Sequence, residues 1–217
     1  MRNTTRAIIS DLAVRYPALA VCEPSVMAAA EALLRCFSGG GQLLVCGNGG
    51  SASDSEHIVG ELMKTFMLDR PLDETMCEKL RMAYPDHAEN MIANLQRAVP
   101  AISLVSETAL MTAYTNDNSA EMAFAQQVLS YGRPGDILLA ITTSGNSANV
   151  LNAARIARVI GVEVLGLTGE SGGRLKALSD QCICAPSAVT YQIQEYHLPI
   201  YHCLCACVEN ELFGGIA

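Results

Sequence analysis

Two loops and two helices hold the residues of this chain whose types and spacing could do chemistry. Gly47-Asn48-Gly49-Gly50-Ser51 follows the apolar Leu43-Leu44-Val45-Cys46, and a helical pattern opens near Ser51. Strand, glycine turn and helix N-terminus make an anion site. The glycines let backbone N–H groups converge, and the helix dipole favours negative charge. His57 and Glu61 lie four residues apart on that helix, so they share one face about a turn below the loop. A second loop, Thr142-Thr143-Ser144-Gly145-Asn146-Ser147, follows the apolar 137–141 and precedes a helical pattern from Ala148. It offers four hydroxyls and no Lys or Arg, enough to hold a phosphate with hydroxyls and backbone N–H groups. Without a Gly-Lys-Ser/Thr ending it is not a Walker loop. Gln194 and His202 stand eight residues apart on a long C-terminal helical pattern, near one face of it. Spacing alone does not bring that face to His57 and Glu61.

The elements that must position these residues alternate. Apolar runs at 43–46, 101–105, 136–141, 162–167 and 181–184 read as strands, and helical patterns lie between them, with no strong hairpin signal. That order predicts an α/β fold: a mainly parallel five-stranded sheet with helices on both faces, in three layers. Functional loops then sit at the carboxyl ends of the strands. Two helices, 4–16 and 25–37, precede the first strand, with Pro17 ending one and Gly39-Gly40-Gly41 the other. Arg70-Pro71-Leu72 breaks the chain before a mostly helical stretch, 73–98, interrupted at Pro85. Residues 190–213 form the final helix, with Pro199 expected to cost one backbone bond and kink it.

The chain has 217 residues, half of them hydrophobic, 17% charged, and a net charge of −8. The length fits one domain over 1–217 with a sizeable core. The acidic balance argues against nucleic acid or an anionic membrane as partner. No uninterrupted apolar run reads as a bilayer span and the N-terminus lacks a signal-peptide core, so the cytoplasm is the expected location. Nine cysteines suit that location as reduced, buried thiols; Cys182-x-Cys184 and Cys203-x-Cys205-x-Cys207 lie in apolar surroundings.

Taken together, Gly47-Asn48-Gly49-Gly50-Ser51, His57-x-x-x-Glu61, Asn116-Asp117, Thr143-Ser144-Gly145-Asn146-Ser147 and Gln194-Glu195-x-His197…His202 resemble the SIS (sugar isomerase) fold. Among its members they are most similar to the sedoheptulose-7-phosphate (phosphoheptose) isomerases. The resemblance runs from about residue 40 to the C-terminus. It implies an aldose–ketose isomerase that moves a proton between C1 and C2 through an enediol, with Glu61 and His202 as the acid/base pair. It implies zinc held by His57, Glu61, Gln194 and His202, a plausible N/O donor set. It places Asn48, Gly49, Gly50, Ser51, Glu61, Asn116, Asp117 and Gln194 on the sugar, and Thr142, Thr143, Ser144 and Ser147 on the phosphate. It also implies a homotetramer with sites at subunit interfaces, which residues 1–38 help to build. His197 is expected to be structural, and His87 is assigned nothing.

Two features depart from the family pattern. Residues 70–98 look longer than the matching segment, as a surface insertion or a flap over the pocket. Lys64-Thr65 stand where many heptose isomerases carry Gly-Arg, and Lys64 or Arg70 are the candidate replacements for that cation. The rival readings are an isomerase of another anionic sugar, a hexose phosphate or sulfo-sugar, and a non-catalytic SIS protein that senses a phosphosugar or binds a replication initiator. Retention of both Glu61 and His202 weighs against the last.

Overall fold

The computed structural model describes residues 1–214. Among them β1 (Leu43–Cys46), β2 (Ala101–Ser103), β3 (Ile137–Ile141), β4 (Glu163–Gly169) and β5 (Gln181–Ala185) form one parallel sheet in the order β2-β1-β3-β4-β5. Leu44 pairs with Ile102 on one side and Leu138 on the other, Leu138 with Val164, and Gly166 with Cys182. Alternate residues of each strand feed opposite cores. Leu43, Val45, Ile137, Leu139, Leu165 and Leu167 face one, while Leu44, Cys46, Leu138, Ala140 and Val164 face the other. Burial on both faces is why the strands read as unbroken apolar runs.

The first core is covered by α1 (Asn3–Arg15), α2 (Glu23–Ser38), α3 (Gly50–Met63) and the long α10 (Thr190–Phe213). Between α3 and α10 the chain adds α4 (Glu74–Ala83), α5 (Ala88–Asn94), α6 (Thr108–Asp117), α7 (Ala123–Tyr131), α8 (Ala148–Val159) and the short α9 (Gly173–Lys176). Phe124 and Val128 of α7, Val150, Leu151 and Ala154 of α8, and Leu175 of α9 pack into the second core. The two N-terminal helices are part of the first core as well as any outer surface: Ile9, Val26, Ala29 and Ala30 are fully buried.

Pro17–Ser38, a 3-10 turn running into α2, is long and apolar enough by length and composition to cross a membrane. Glu23, Glu31 and Arg35 interrupt it, so it is not an uninterrupted apolar run. Its inner face, from Val26 to Cys36, lies against the sheet and α10.

Residues 72–95 leave the body and return where Pro71 bridges Gln96 and the Arg97 N–H donates to the Arg70 carbonyl at 2.8 Å. Asp73 caps α4 by accepting from the Met76 N–H at 2.9 Å, and the helical stretch splits around Pro85 into α4 and α5. Helix α10 continues as one element through Pro199. The short α9 has no counterpart in the sequence expectations.

Candidate active site

Because β1 has β2 on one side and β3 on the other, its connections leave in opposite directions and a crevice opens beyond the carboxyl ends of β1 and β3. The loops after these two strands are the two singled out from sequence. A reciprocal amide pair ties them: Asn48 Nδ2 donates to Asn149 Oδ1, and Asn149 Nδ2 to Asn48 Oδ1, each at 2.9 Å. In the second loop Thr142 Oγ1 lies 2.9 Å from Ser147 Oγ and 3.5 Å from Ser144 Oγ, and Ser144 Oγ accepts from the Asn146 N–H at 3.1 Å. Gly145 sits at φ +66° against the carbonyl of Gly172, where any side chain would collide. Loop and hydroxyls are thus shaped before a ligand arrives.

Helix α3 starts at Gly50, and the Gln194 amide rests on the Gly50 Cα where a Cβ would stand. Helix α10 therefore runs beside α3 from this point. Seven residues further along α3 and eight along α10, roughly 10–12 Å, a second cluster forms. His57 Nε2 lies 3.2 Å from Glu61 Oε1, and Lys64 Nζ donates to Glu61 Oε2 at 2.9 Å. The His57 and His202 rings meet edge-on with centroids 5.0 Å apart, and Phe66 closes the far side of His202 at 5.4 Å. Tyr201 Oη lies 3.0 Å from His57 Nδ1 and donates to Asp54 Oδ1 at 3.4 Å.

The electrostatics follow from this packing. Burial works to raise the pKa of Glu61, but the hydrogen bond and charge of Lys64, with His57 beside them, win and hold the carboxyl below its usual range. Burial, then the neighbouring His57, lower His202, which keeps the ring neutral. Burial raises Asp54, against the pull of the Tyr201 hydrogen bond. Burial and the charge of Asp54 push the Tyr201 phenol up, so it keeps its proton.

The donor set fits zinc in chemistry. His57, Glu61 and His202 converge, and His202 Nε2 is buried with no hydrogen-bond partner, an orphan that a cation would satisfy. The described residues do not close a preformed cage, since no group of three or more His, Cys, Asp or Glu stands in ligating geometry. Gln194 lies two turns away, against Gly50.

Of the other expected site residues, Asn48, Gly49, Gly50 and Ser51 line the start of α3, Ser51 being buried, and Thr142, Thr143, Ser144 and Ser147 form the second loop. Asn116 and Asp117 are exposed at the end of α6, with Asn116 Nδ2 donating to Asp117 Oδ1 at 2.9 Å. His197 is fully buried, its Nε2 3.2 Å from the Thr168 carbonyl. Arg70 cannot stand in for a substrate-binding arginine. Its guanidinium is buried and spent on Glu209 at 2.7 Å and on the carbonyls of Leu62 and Glu61. Lys64 is the cation that reaches the site.

Sequence reasoning missed Asp54, Asn149, Arg174 and Tyr201. Asp54 had a signal, since it lies three residues before His57 on the same helix face. Tyr201 was visible only as the neighbour of His202. Arg174 sits on α9, after β4, and donates to Asn146 Oδ1 at 3.2 Å, giving the hydroxyl loop a nearby cation that no local pattern announces.

A family model described as SIS domain matches residues 19–92 and 87–169. The phosphoheptose isomerase of Rhodospirillum rubrum is 36% identical over 212 residues, 98% of this chain and 99% of its own. This chain belongs to the phosphoheptose isomerase family of SIS-domain proteins. The phosphoheptose isomerase of Akkermansia muciniphila is 34% identical over 215 residues, covering 99% of this chain and 100% of its own. A solved phosphoheptose isomerase from Francisella tularensis superposes with a TM-score of 0.74 at 32% identity over 93% of each chain. The SIS match spans β1 to β4 and both loops, so the crevice belongs to the shared fold, while Gln194, Tyr201 and His202 lie beyond the matched residues.

Proposed function

We propose that this chain is an aldose–ketose isomerase that interconverts sedoheptulose 7-phosphate and D-glycero-D-manno-heptose 7-phosphate. One observation carries the reading. The crevice offers a hydroxyl-lined anion loop at one end and the His57–Glu61–His202 cluster two helical turns along α3. That separation suits a seven-carbon chain with phosphate at one terminus and a carbonyl at the other. Family membership supports the same reaction.

The phosphate sits against Thr142, Thr143, Ser144, Ser147 and the start of α3, with Arg174 behind Asn146. Anchoring that end leaves C1 and C2 to meet Glu61, so much of the rate comes from positioning. Glu61 takes the proton from one carbon and returns it to the other. Lys64 holds Oε2, which leaves Oε1 beside His57 Nε2. The neutral His202 exchanges a proton with the sugar oxygen. His57, Glu61 and His202, with Gln194 swinging from Gly50, would hold zinc. When bound, zinc supplies Lewis-acid stabilisation of the developing oxyanion. Asn48, Asn116, Asp117 and Gln194 orient hydroxyls.

We read the working form as a cytoplasmic homotetramer with residues 1–38 at its contacts and 70–98 as an insertion. The nine cysteines, all free, suit a reducing compartment.

The test is to incubate zinc-loaded protein with sedoheptulose 7-phosphate and follow the heptose by NMR, beside Glu61→Gln. Turnover should fall at least 100-fold in the variant while phosphosugar binding persists. Wild-type rates in Glu61→Gln would remove the assigned base. Lack of turnover by the wild type would remove the substrate.

A further inference from the structure

The hydroxyl loop carries no cation of its own, and the reaction above gives Arg174 no task beyond standing near it. The chain after β4 is built onto that loop. The Gly169 N–H donates to the Thr143 carbonyl at 3.0 Å, and the Leu175 N–H to the Gly145 carbonyl at 2.9 Å. Gly173 packs so close to the Ser144 carbonyl that a Cβ would stand 2.5 Å from it. This approach sets Arg174 against Asn146. The Arg174 backbone N–H and Nε both donate to Asn146 Oδ1 at 3.2 Å, and Nη2 donates to the Asn146 carbonyl at 3.3 Å. Two donors on Oδ1 fix the amide one way round, with Nδ2 donating to the Ser144 carbonyl at 2.8 Å. Asn146 so held aims its backbone N–H at Ser144 Oγ, 3.1 Å away. A hydroxyl that already accepts keeps its own proton to give. The other hydroxyl near it, Thr142 Oγ1, lies at the long distance of 3.5 Å and is itself 2.9 Å from Ser147 Oγ. The Ser144 proton is therefore left for an anion in the loop. Arg174 is exposed, so its charge alone is screened by water and salt and does not supply the anchor.

We propose that Arg174 is a positioning residue for the phosphate end of the substrate. Through Asn146 it holds Ser144 Oγ as the acceptor of a backbone N–H, and so turns the Ser144 proton toward the bound anion. The role rests on the anion-loop reading above.

The test is a double-mutant cycle on the full chain. Arg174→Ala should raise the Kd for inorganic phosphate, measured by calorimetry, and the KM for sedoheptulose 7-phosphate by about 3–10-fold, with kcat nearly unchanged. In a Ser144→Ala background the same change should cost less than about 2-fold, because the hydroxyl it orients is gone. Asn146→Ala breaks the middle link and should match Arg174→Ala, with no further loss when the two are combined. Thermal melts check that the variants are folded. Should Arg174→Ala fail to fold, Asn146→Ala against Ser144→Ala carries the same cycle. Equal losses from Arg174→Ala with and without the Ser144 hydroxyl overturn the proposal, since the guanidinium would then act on the phosphate by itself. Unchanged binding in Arg174→Ala, or a loss confined to kcat, overturns it too. A wild type that binds phosphate without turning over the sugar removes the substrate alone, and the cycle is then decided on phosphate. A wild type that binds neither removes the anion loop and the role of Arg174 with it.

Discussion

Ser144 Oγ is fixed from two sides, by the Asn146 N–H and by Thr142 Oγ1, at the mouth of the loop. A hydroxyl already oriented loses little entropy when a phosphate arrives, so its contribution falls on binding. Ser144→Ala should raise KM by about 10–100-fold, the worth of one hydrogen bond to a charged group, with kcat nearly unchanged. Steady-state kinetics check it, and a loss confined to kcat would contradict anchoring. At this scale the sequence was readable where chemistry follows local spacing. His57 and Glu61 share a face because they are four apart, and the hydroxyls of Thr142 to Ser147 are contiguous. It was unreadable where partners come from distant chain. Nothing near Asp54 announces a tyrosine 147 residues later, and nothing near Asn146 announces Arg174.

Helices α3 and α10 form the element pair on which the cluster depends, and a buried ion pair locks the end of one to the other. Glu209 on α10 accepts from Arg70 Nε at 2.7 Å and from the N–H groups of Phe66, Met67 and Leu68 at 2.9, 2.7 and 3.1 Å. It thereby holds the segment that carries Phe66 against His202. Glu209→Gln leaves the Arg70 charge buried and unneutralised, and should cost about 3–5 kcal/mol in denaturant unfolding. Loss under 1 kcal/mol would show that the pair is not needed. Arg70→Met with Glu209→Leu should cost less than the two single changes combined, because no lone charge remains. His197, further up α10, is held neutral by burial, which lowers its pKa from 6.5 to about 4. The folded state then binds fewer protons than the unfolded one below pH 6.5, so stability falls as pH drops through 6.5 and levels off near 4. The gap is worth roughly 3 kcal/mol at its acid end. His197→Gln should flatten that part of the thermal-melt pH profile, and an unchanged slope would show that His197 does not titrate this way. Strands and helices were legible because period and punctuation act locally: Pro17, Pro71 and Pro85 mark breaks that the structure keeps. Pro199 lies inside α10, which runs on through it as one helix, as the 190–213 pattern predicts.

For the whole molecule, the surface left over by one chain bears on how many chains work together. Helix α6 buries no residue, and Val14, Val21, Met82 and Val159 are more than two-thirds exposed. Scattered apolar side chains are ordinary on a monomer. A ten-residue helix that buries no residue fully, with Met111 half-buried against the second core, is less so, because packing supplies most helix stability in water. Sequence showed the α6 pattern and the N-terminal helices, but not which faces the chain covers by itself: Ile9 and Val26 turned out to be core, whereas α6 did not. The proposed homotetramer, four chains of 23.1 kDa, would account for the difference by covering α6 or the outer faces of α1 and α2 with neighbouring chains. Light scattering of the purified protein should give four times the chain mass at working concentration. Leu110→Glu on α6, or Val14→Glu and Val21→Glu on the N-terminal surface, should lower that mass, and the surface whose change does so is the contact. If sites are shared between chains, specific activity should fall with protein concentration as the assembly dissociates. A fully active single chain would place the whole site within one SIS domain and leave α6 without an assembly role.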